Sequence, residues 1–108
     1  MGTPRMTGPT RDVLRVLLEA HPESCYGLEV VTRTGLPSGT VHPILARLEV
    51  SGWGASDWEQ IDPAEHGRPR RRYYRLTPKG REAAVAALRR AEAERARRTR
   101  RDEPGWAT

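Results

Sequence analysis

The chain has 108 residues, 36% of them hydrophobic, with 19 Lys plus Arg against 14 Asp plus Glu, a formal net charge of +5 and a sequence pI near 10.3. That length holds one small domain with a compact core and leaves no room for a second, while the charge favours a polyanionic partner or a membrane surface. Cys25 stands alone, which excludes an intramolecular disulfide and a metal cluster built on cysteines.

No apolar run is long enough to span a bilayer, and no apolar segment after the first Met reads as a signal peptide, so a cytoplasmic protein is the default expectation. All the cations but Lys79 are arginine. Codon bias in a GC-rich genome explains that as readily as the fit of forked guanidinium donors to phosphate and guanine edges.

Residues 1–7 read as a flexible polar tail. A helix follows over residues 9–21, with Val13, Leu14, Val16, Leu17 and Leu18 on a wide apolar arc and Arg11, Arg15 and Glu19 opposite. The width of the arc predicts contacts on two flanks, one with the core and one with a second subunit. His21 before Pro22 ends the helix. A short helix then runs from the neighbourhood of residues 24–26 to Thr34, with Leu28 and Val31 inward, Gly35 as its left-handed cap and Leu36 as the hydrophobic closure.

Pro37 and Ser38 restart a helix almost at once, with Ser38 as its N-cap. Val41, Ile44, Leu45 and Leu48 follow the i, i+3, i+4, i+7 spacing of a buried stripe. Gly52 suits the C′ position and Trp53 the returning hydrophobic contact. The other face of this helix carries Gly39, Thr40, His42, Pro43 and Arg47, which are small, polar or cationic. Helix, tight glycine turn, helix is the layout whose second helix reads DNA.

Residues 53–60 read as a strand, 61–69 as a loop broken by Pro63, Gly67 and Pro69, and 70–76 as a second strand. In the second strand Tyr74 and Leu76 face one way, Tyr73 and Arg75 the other. Two strands joined by a basic loop make a wing. Thr77 caps a last helix with Pro78 at its first position, where the missing amide costs nothing. Val85 and Leu88 are its only large apolar residues before an alanine-, arginine- and glutamate-rich run to about Arg101. Residues 102–108 read as a second flexible tail. The fold class is mainly α (α+β), a winged helix-turn-helix over 8–77 with a two-stranded wing, followed by a C-terminal helix over 78–101.

These residues resemble the PadR-like winged-helix transcriptional regulators. The match runs through Tyr26-Gly27-Leu28-Glu29-Val30, Ser38-Gly39-Thr40-Val41-His42-Pro43-Ile44-Leu45-Ala46-Arg47-Leu48-Glu49, and Ser51-Gly52-Trp53. It continues through Gly67-Arg68-Pro69-Arg70-Arg71-Arg72-Tyr73-Tyr74-Arg75-Leu76-Thr77 and ends at Gly80, covering roughly residues 10 to 88. The resemblance implies a homodimeric, repressor-type regulator that binds operator DNA with its third helix and wing. It also implies dimerisation through the C-terminal helix with help from the first, and in some members a response to aromatic or drug-like small molecules. Two departures stand out: His42 replaces the family's usual Tyr before the recognition-helix proline, and the last helix is poor in large side chains, which argues against an effector cavity.

The DNA-binding set expected on these grounds is Ser38, Gly39, Thr40, His42, Pro43 and Arg47 on helix 38–51, with Arg68, Arg70, Arg72 and Tyr73 on the 60–72 wing. Arg47 can fork to a guanine edge or hold a phosphate. Strand alternation turns Arg71 away from its neighbours. Asp57, Glu59, Asp62 and Glu65 compete for the wing cations, most seriously for Arg72 and least for Arg68 beside Gly67, where an arginine at a wing tip can enter a narrow minor groove. Leu14, Leu18, Val85 and Leu88 are the dimerisation candidates. His21, His42 and His66 lie on different elements without metal-ligand spacing, and no catalytic or phosphate-loop motif appears, so neither cofactor nor enzymatic activity is expected. The competing reading is a winged-helix module that binds an acidic protein partner.

Overall fold

The structure, a computed structural model, describes residues 2–102 and 105–107. Its elements in order are α1 (Gly8–Ala20), β1 (Cys25–Tyr26), α2 (Gly27–Thr34), α3 (Ser38–Val50), β2 (Gly54–Trp58), α4 (Pro63–His66), β3 (Arg72–Leu76) and α5 (Pro78–Asp102), then a 3-10 turn (Gly105–Ala107). The antiparallel sheet has the order β1-β3-β2, with Cys25 opposite Tyr74 and Trp58 opposite Arg72. The winged helix-turn-helix expected from the sequence is present.

α1 begins one residue before the expected start because the Thr7 side chain accepts a 3.3 Å bond from the Thr10 amide. Met6 packs against the core and its carbonyl accepts from Arg11, so the tail expected over 1–7 is tied down at its last two residues. His21 ends α1 in an extended conformation (ψ 134°), as its position before proline requires.

The second helix differs in phase from the expectation. Cys25 and Tyr26 pair with β3 before the helix starts at Gly27, so the inward positions are Gly27, Val30 and Val31. Leu28 is one step, about 100°, off that face and is 62% exposed.

α3 also starts differently. Pro37, extended at ψ 147°, takes the cap position and its carbonyl accepts from the Thr40 and Val41 amides. Ser38 is therefore the first helical residue and its side chain caps nothing. The end follows expectation. Gly52 (φ +80°) donates to the Glu49 carbonyl and Trp53 to that of Leu48, which reverses the chain and buries the Trp53 indole.

The core gathers Val13, Leu14 and Leu17 from α1, Val30 from α2, and Val41, Ile44, Leu45 and Leu48 from α3. Trp53, Leu76 and Ala84 close it. Thr77 joins α5 to this core: its hydroxyl donates to the Gly52 carbonyl at 2.7 Å and accepts from the Gly80 amide at 3.0 Å, while its own amide donates to the Trp53 carbonyl at 2.9 Å. Gly80 sits directly on the Trp53 backbone.

Candidate nucleic-acid interface

With Val41, Ile44, Leu45 and Leu48 buried, rotation along α3 turns Ser38, Gly39, His42, Pro43 and Arg47 outward, and these are exposed, with Thr40 half-buried. Pro43 lies inside the helix and has no amide to donate to the carbonyl of Gly39, four residues earlier. The Arg47 Nε donates to the Pro43 carbonyl at 3.3 Å, and Arg47 enters no ion pair among the described residues. Glu49, two turns after His42 on the same side of α3, accepts from the Ser56 hydroxyl on β2.

His42 leans on the start of α2. A Cβ on Gly27 would lie 2.9 Å from His42 Cε1 and 3.7 Å from Tyr74 Cε1. Replacing Gly27 with alanine is expected to swing the imidazole aside while leaving the fold intact, because the crowded atom is the end of a side chain. Thermal unfolding should change by less than about 1 kcal/mol, and duplex binding should weaken several-fold. A variant that loses stability instead of affinity would show that His42 supports the fold.

The wing presents its arginines in distinct ways. The Arg72 guanidinium lies over the Trp58 ring at 4.9 Å, and that of Arg71 over the Tyr26 ring at 4.5 Å. Tyr73 is half-buried and meets the Tyr26 ring edge-on at 5.9 Å. Arg70 is exposed and donates from Nε to the Ile61 carbonyl at 2.9 Å. The strand itself starts at Arg72 and not at Arg70, because the Arg71 amide bonds the Glu59 carboxylate. The loop between the strands holds one helical turn, α4, capped by the Asp62 side chain.

The distribution of acidic partners reverses the expectation. Arg68 is the neutralised cation, with both terminal nitrogens on Glu59 at 2.7 and 2.9 Å, while Arg72 is in no ion pair among the described residues. Gly67 (φ +63°) turns the chain so that Arg68 points back across the hairpin, not outward from its tip. Asp57 faces Arg75 at 3.5 Å. The Arg68 guanidinium, with the Arg71 amide, holds the Glu59 carboxyl down to about 2.

A carboxyl depressed in this way stabilises the hairpin above its unfolded value near 4.3 and loses that contribution as pH falls towards 2. Exchange of the Arg71 amide is therefore expected to be faster in Glu59→Gln than in wild type at neutral pH. The difference should close as pH falls through that window; a difference independent of pH would overturn the role given to the ion pair.

α3 and the wing border one cleft of about 290 Å³, lined by His42, Tyr26, Leu28, Arg71, Arg72 and Tyr74. A wider hollow of about 890 Å³ between Trp58, Ile61, Pro63 and Arg70 belongs to the wing alone. On the other flank of α3, Arg5 and Arg47 line a shared hollow with Val50. Sequence reasoning passed over Arg5, because nothing in a Gly- and Pro-rich tail signals where it lies. It also left out Arg71, whose stacking on Tyr26 depends on the unforeseen strand β1.

Leu14 is wholly buried in its own protomer and has no surface to offer a second copy, which corrects its place among the dimerisation candidates. Leu18, Val85 and Leu88 are half-buried. Burial pushes the Cys25 thiol up, with Glu29 adding to the effect, which is the wrong direction for a reactive thiolate. Among the described residues no group of three or more His, Cys, Asp or Glu side chains could hold a metal ion, and no helix is long and apolar enough to cross a membrane.

The fold recurs in solved structures. A transcriptional regulator from Clostridium thermocellum superposes with a TM-score of 0.69 at 20% identity, covering 92% of this chain and 100% of that one. A PadR-like transcriptional regulator from Bacillus cereus gives 0.65 at 19% identity, covering 88% and 92%. BpsR of Bordetella bronchiseptica, whose DNA binding is regulated by 6-hydroxynicotinic acid, gives 0.65 at 24% identity over 82% of this chain. The match spans 58% of the BpsR chain. A comparison with curated protein sequences gives no match. The family model of the PadR-like transcriptional regulators matches residues 13–86, from the core of α1 through α3 and the wing to the part of α5 seated on Trp53. With helix, wing and seat in that order, the chain belongs to the PadR-like family of transcriptional regulators.

Proposed function

We propose that this protein is a homodimeric regulator of the repressor type, which places α3 of each protomer in a major groove of duplex DNA with the wing beside the adjacent backbone. The observation that carries the reading is the cleft in which His42 of α3 meets Arg71 and Arg72 of the wing. A helix front whose carboxylate, Glu49, is held by the Ser56 hydroxyl, and a hairpin carrying Arg70, Arg71 and Arg72, border the same space. Ser38, Gly39, Thr40, Pro43 and Arg47 extend that surface along α3, and Arg70 and Tyr73 extend it along the wing. Arg68 acts there through Glu59, as the clasp of the hairpin.

Two-fold symmetry then sets two half-sites about one helical turn apart. If the dimer neutralises roughly eight phosphates, log K falls against log salt with a slope of about −7. The test is a gel shift with DNA upstream of the protein's own gene, followed by footprinting. Two protected half-sites are expected; binding that ignores both salt and sequence would overturn the reading.

Leu18, Val85 and Leu88 are the apolar surface for the second copy. Leu88→Glu is expected to weaken the dimer about tenfold or more, as burial of a leucine would suggest. Light scattering checks it, and a wild-type protein that is monomeric at high micromolar concentration would refute the dimer.

A further inference from the structure

The distal part of α5 has no role in the fold. Ala91 is half-buried and every residue from 92 to 102 is exposed. Residues 89–101 nonetheless hold seven arginines and two glutamates, a surplus of five positive charges. The twelve cations elsewhere in the chain face twelve carboxylates, two of which, Asp102 and Glu103, directly follow this segment. Residues 8–77, the winged-helix part, carry nine cations against nine carboxylates and are formally neutral on their own.

The arginines are also ordered on the helix. At about 100° per residue, Arg89, Arg90, Arg97, Arg100 and Arg101 fall within an arc of about 120°. Arg89 and Arg100 lie opposite the side that seats Gly80, Ala84 and Ala87 on the domain, and the arc runs from them round one flank of the helix. Arg98, outside this arc, is the one that pairs with a glutamate, Glu94 at 3.4 Å. None of the five is in an ion pair among the described residues. The stripe is about 20 Å long. Beyond Leu88 the segment has no large apolar side chain, so it lacks the greasy face that lays an amphipathic helix on a membrane.

From this we infer that residues 89–101 form a second, sequence-independent contact for duplex DNA, a cationic arm that holds phosphates while α3 reads the groove. The inference rests on the DNA-binding reading above and adds to it a net positive charge that the formally neutral winged-helix part does not itself carry. The repeating backbone charge of a duplex matches a stripe of five arginines, and guanidinium forks suit phosphate oxygens.

The probe is a random-sequence duplex of about thirty base pairs, titrated between about 50 and 200 mM salt. The full chain with R89Q, R90Q, R97Q, R100Q and R101Q together is compared with wild type and with Arg47→Ala. Glutamine keeps helix propensity close to that of arginine, and far-UV circular dichroism checks the helix. A second variant, all five changed to lysine, keeps the charge. The expected result is that the glutamine variant binds the random duplex at least about thirtyfold more weakly, with a salt slope shallower by about 4 for the dimer, the loss of about two phosphate contacts from each arm, while the lysine variant stays near wild type.

Arg47→Ala should lose less than the glutamine variant on this probe. Equal slopes and affinities for wild type and glutamine variant would overturn the arm and leave the recognition helix standing. No retention of any duplex by wild type, even at low salt, would overturn both. Poly-glutamate retained more tightly than duplex at equal charge concentration would overturn DNA as the occupant. If the glutamine variant loses its helix, R100Q with R101Q at the helix end decides: a shallower slope with the helix intact supports the arm, and a wild-type slope overturns it.

Discussion

Replacing Gly80 with alanine is expected to lower the melting temperature by roughly 15 °C, the equivalent of about 3 kcal/mol in a domain of this size. Two effects oppose each other. In an open helix the change would stabilise by about 1 kcal/mol through helix propensity. Here a Cβ would overlap the Trp53 carbonyl oxygen and lie 2.6 Å from its carbonyl carbon. Backbone cannot rotate aside as a side chain can, so either α5 lifts or the α3–β2 corner shifts. Both movements strain the bonds from Thr77 to the carbonyls of Gly52 and Trp53. The clash outweighs the propensity. Gly39→Ala is the control, since nothing lies within 4 Å of its Cβ in α3. A Gly80→Ala protein that melts at or above wild type would show that α5 is not seated where the structure places it.

Arg47→Ala is expected to weaken operator binding by roughly 5- to 150-fold, the range of one good groove contact. Stability should stay within about 0.5 kcal/mol, because the side chain is exposed and its one hydrogen bond is to its own helix. The form of the loss identifies the contact. If Arg47 forks to a guanine, preference at one base position relaxes and the salt slope is unchanged. If it holds a phosphate, all sequences weaken together and the slope becomes shallower by about 1 per protomer. Operator titrations with single-base substitutions, repeated at two salt concentrations, separate the outcomes. Wild-type affinity in the variant would remove α3 from the interface.

How far the sequence carried can be judged from particular residues. The buried stripe of α3 and the caps at Gly35 and Gly52 were legible because helix periodicity and positive φ leave local marks. The wing was legible from breakers and alternation. Strand β1 was not, since two residues are too few to show a period; missing it shifted the phase of α2 and turned Leu28 inward. The pairing of Arg68 with Glu59 was hidden because it depends on how Gly67 turns the loop, and four carboxylates nearby gave no basis for choosing. Leu14 was misplaced for a related reason. A wide apolar arc does not say which of its residues a protomer keeps for itself. The candidate contacts on α3 were thus readable as a face, while the state of each wing arginine was a property of tertiary packing.

The seat of Gly80 on Trp53 has a mechanical meaning. α5 is a rod of 25 residues, about 37 Å long, clamped close to one end at the corner where α3 stops. A tilt of about 5° at the clamp would carry the far end through roughly 3 Å, close to the rise of one base pair. In a dimer held by α5, substitutions at Gly52, Thr77 or Gly80 would act as changes of gauge, altering the half-site spacing the pair accepts while leaving every groove-facing side chain in place.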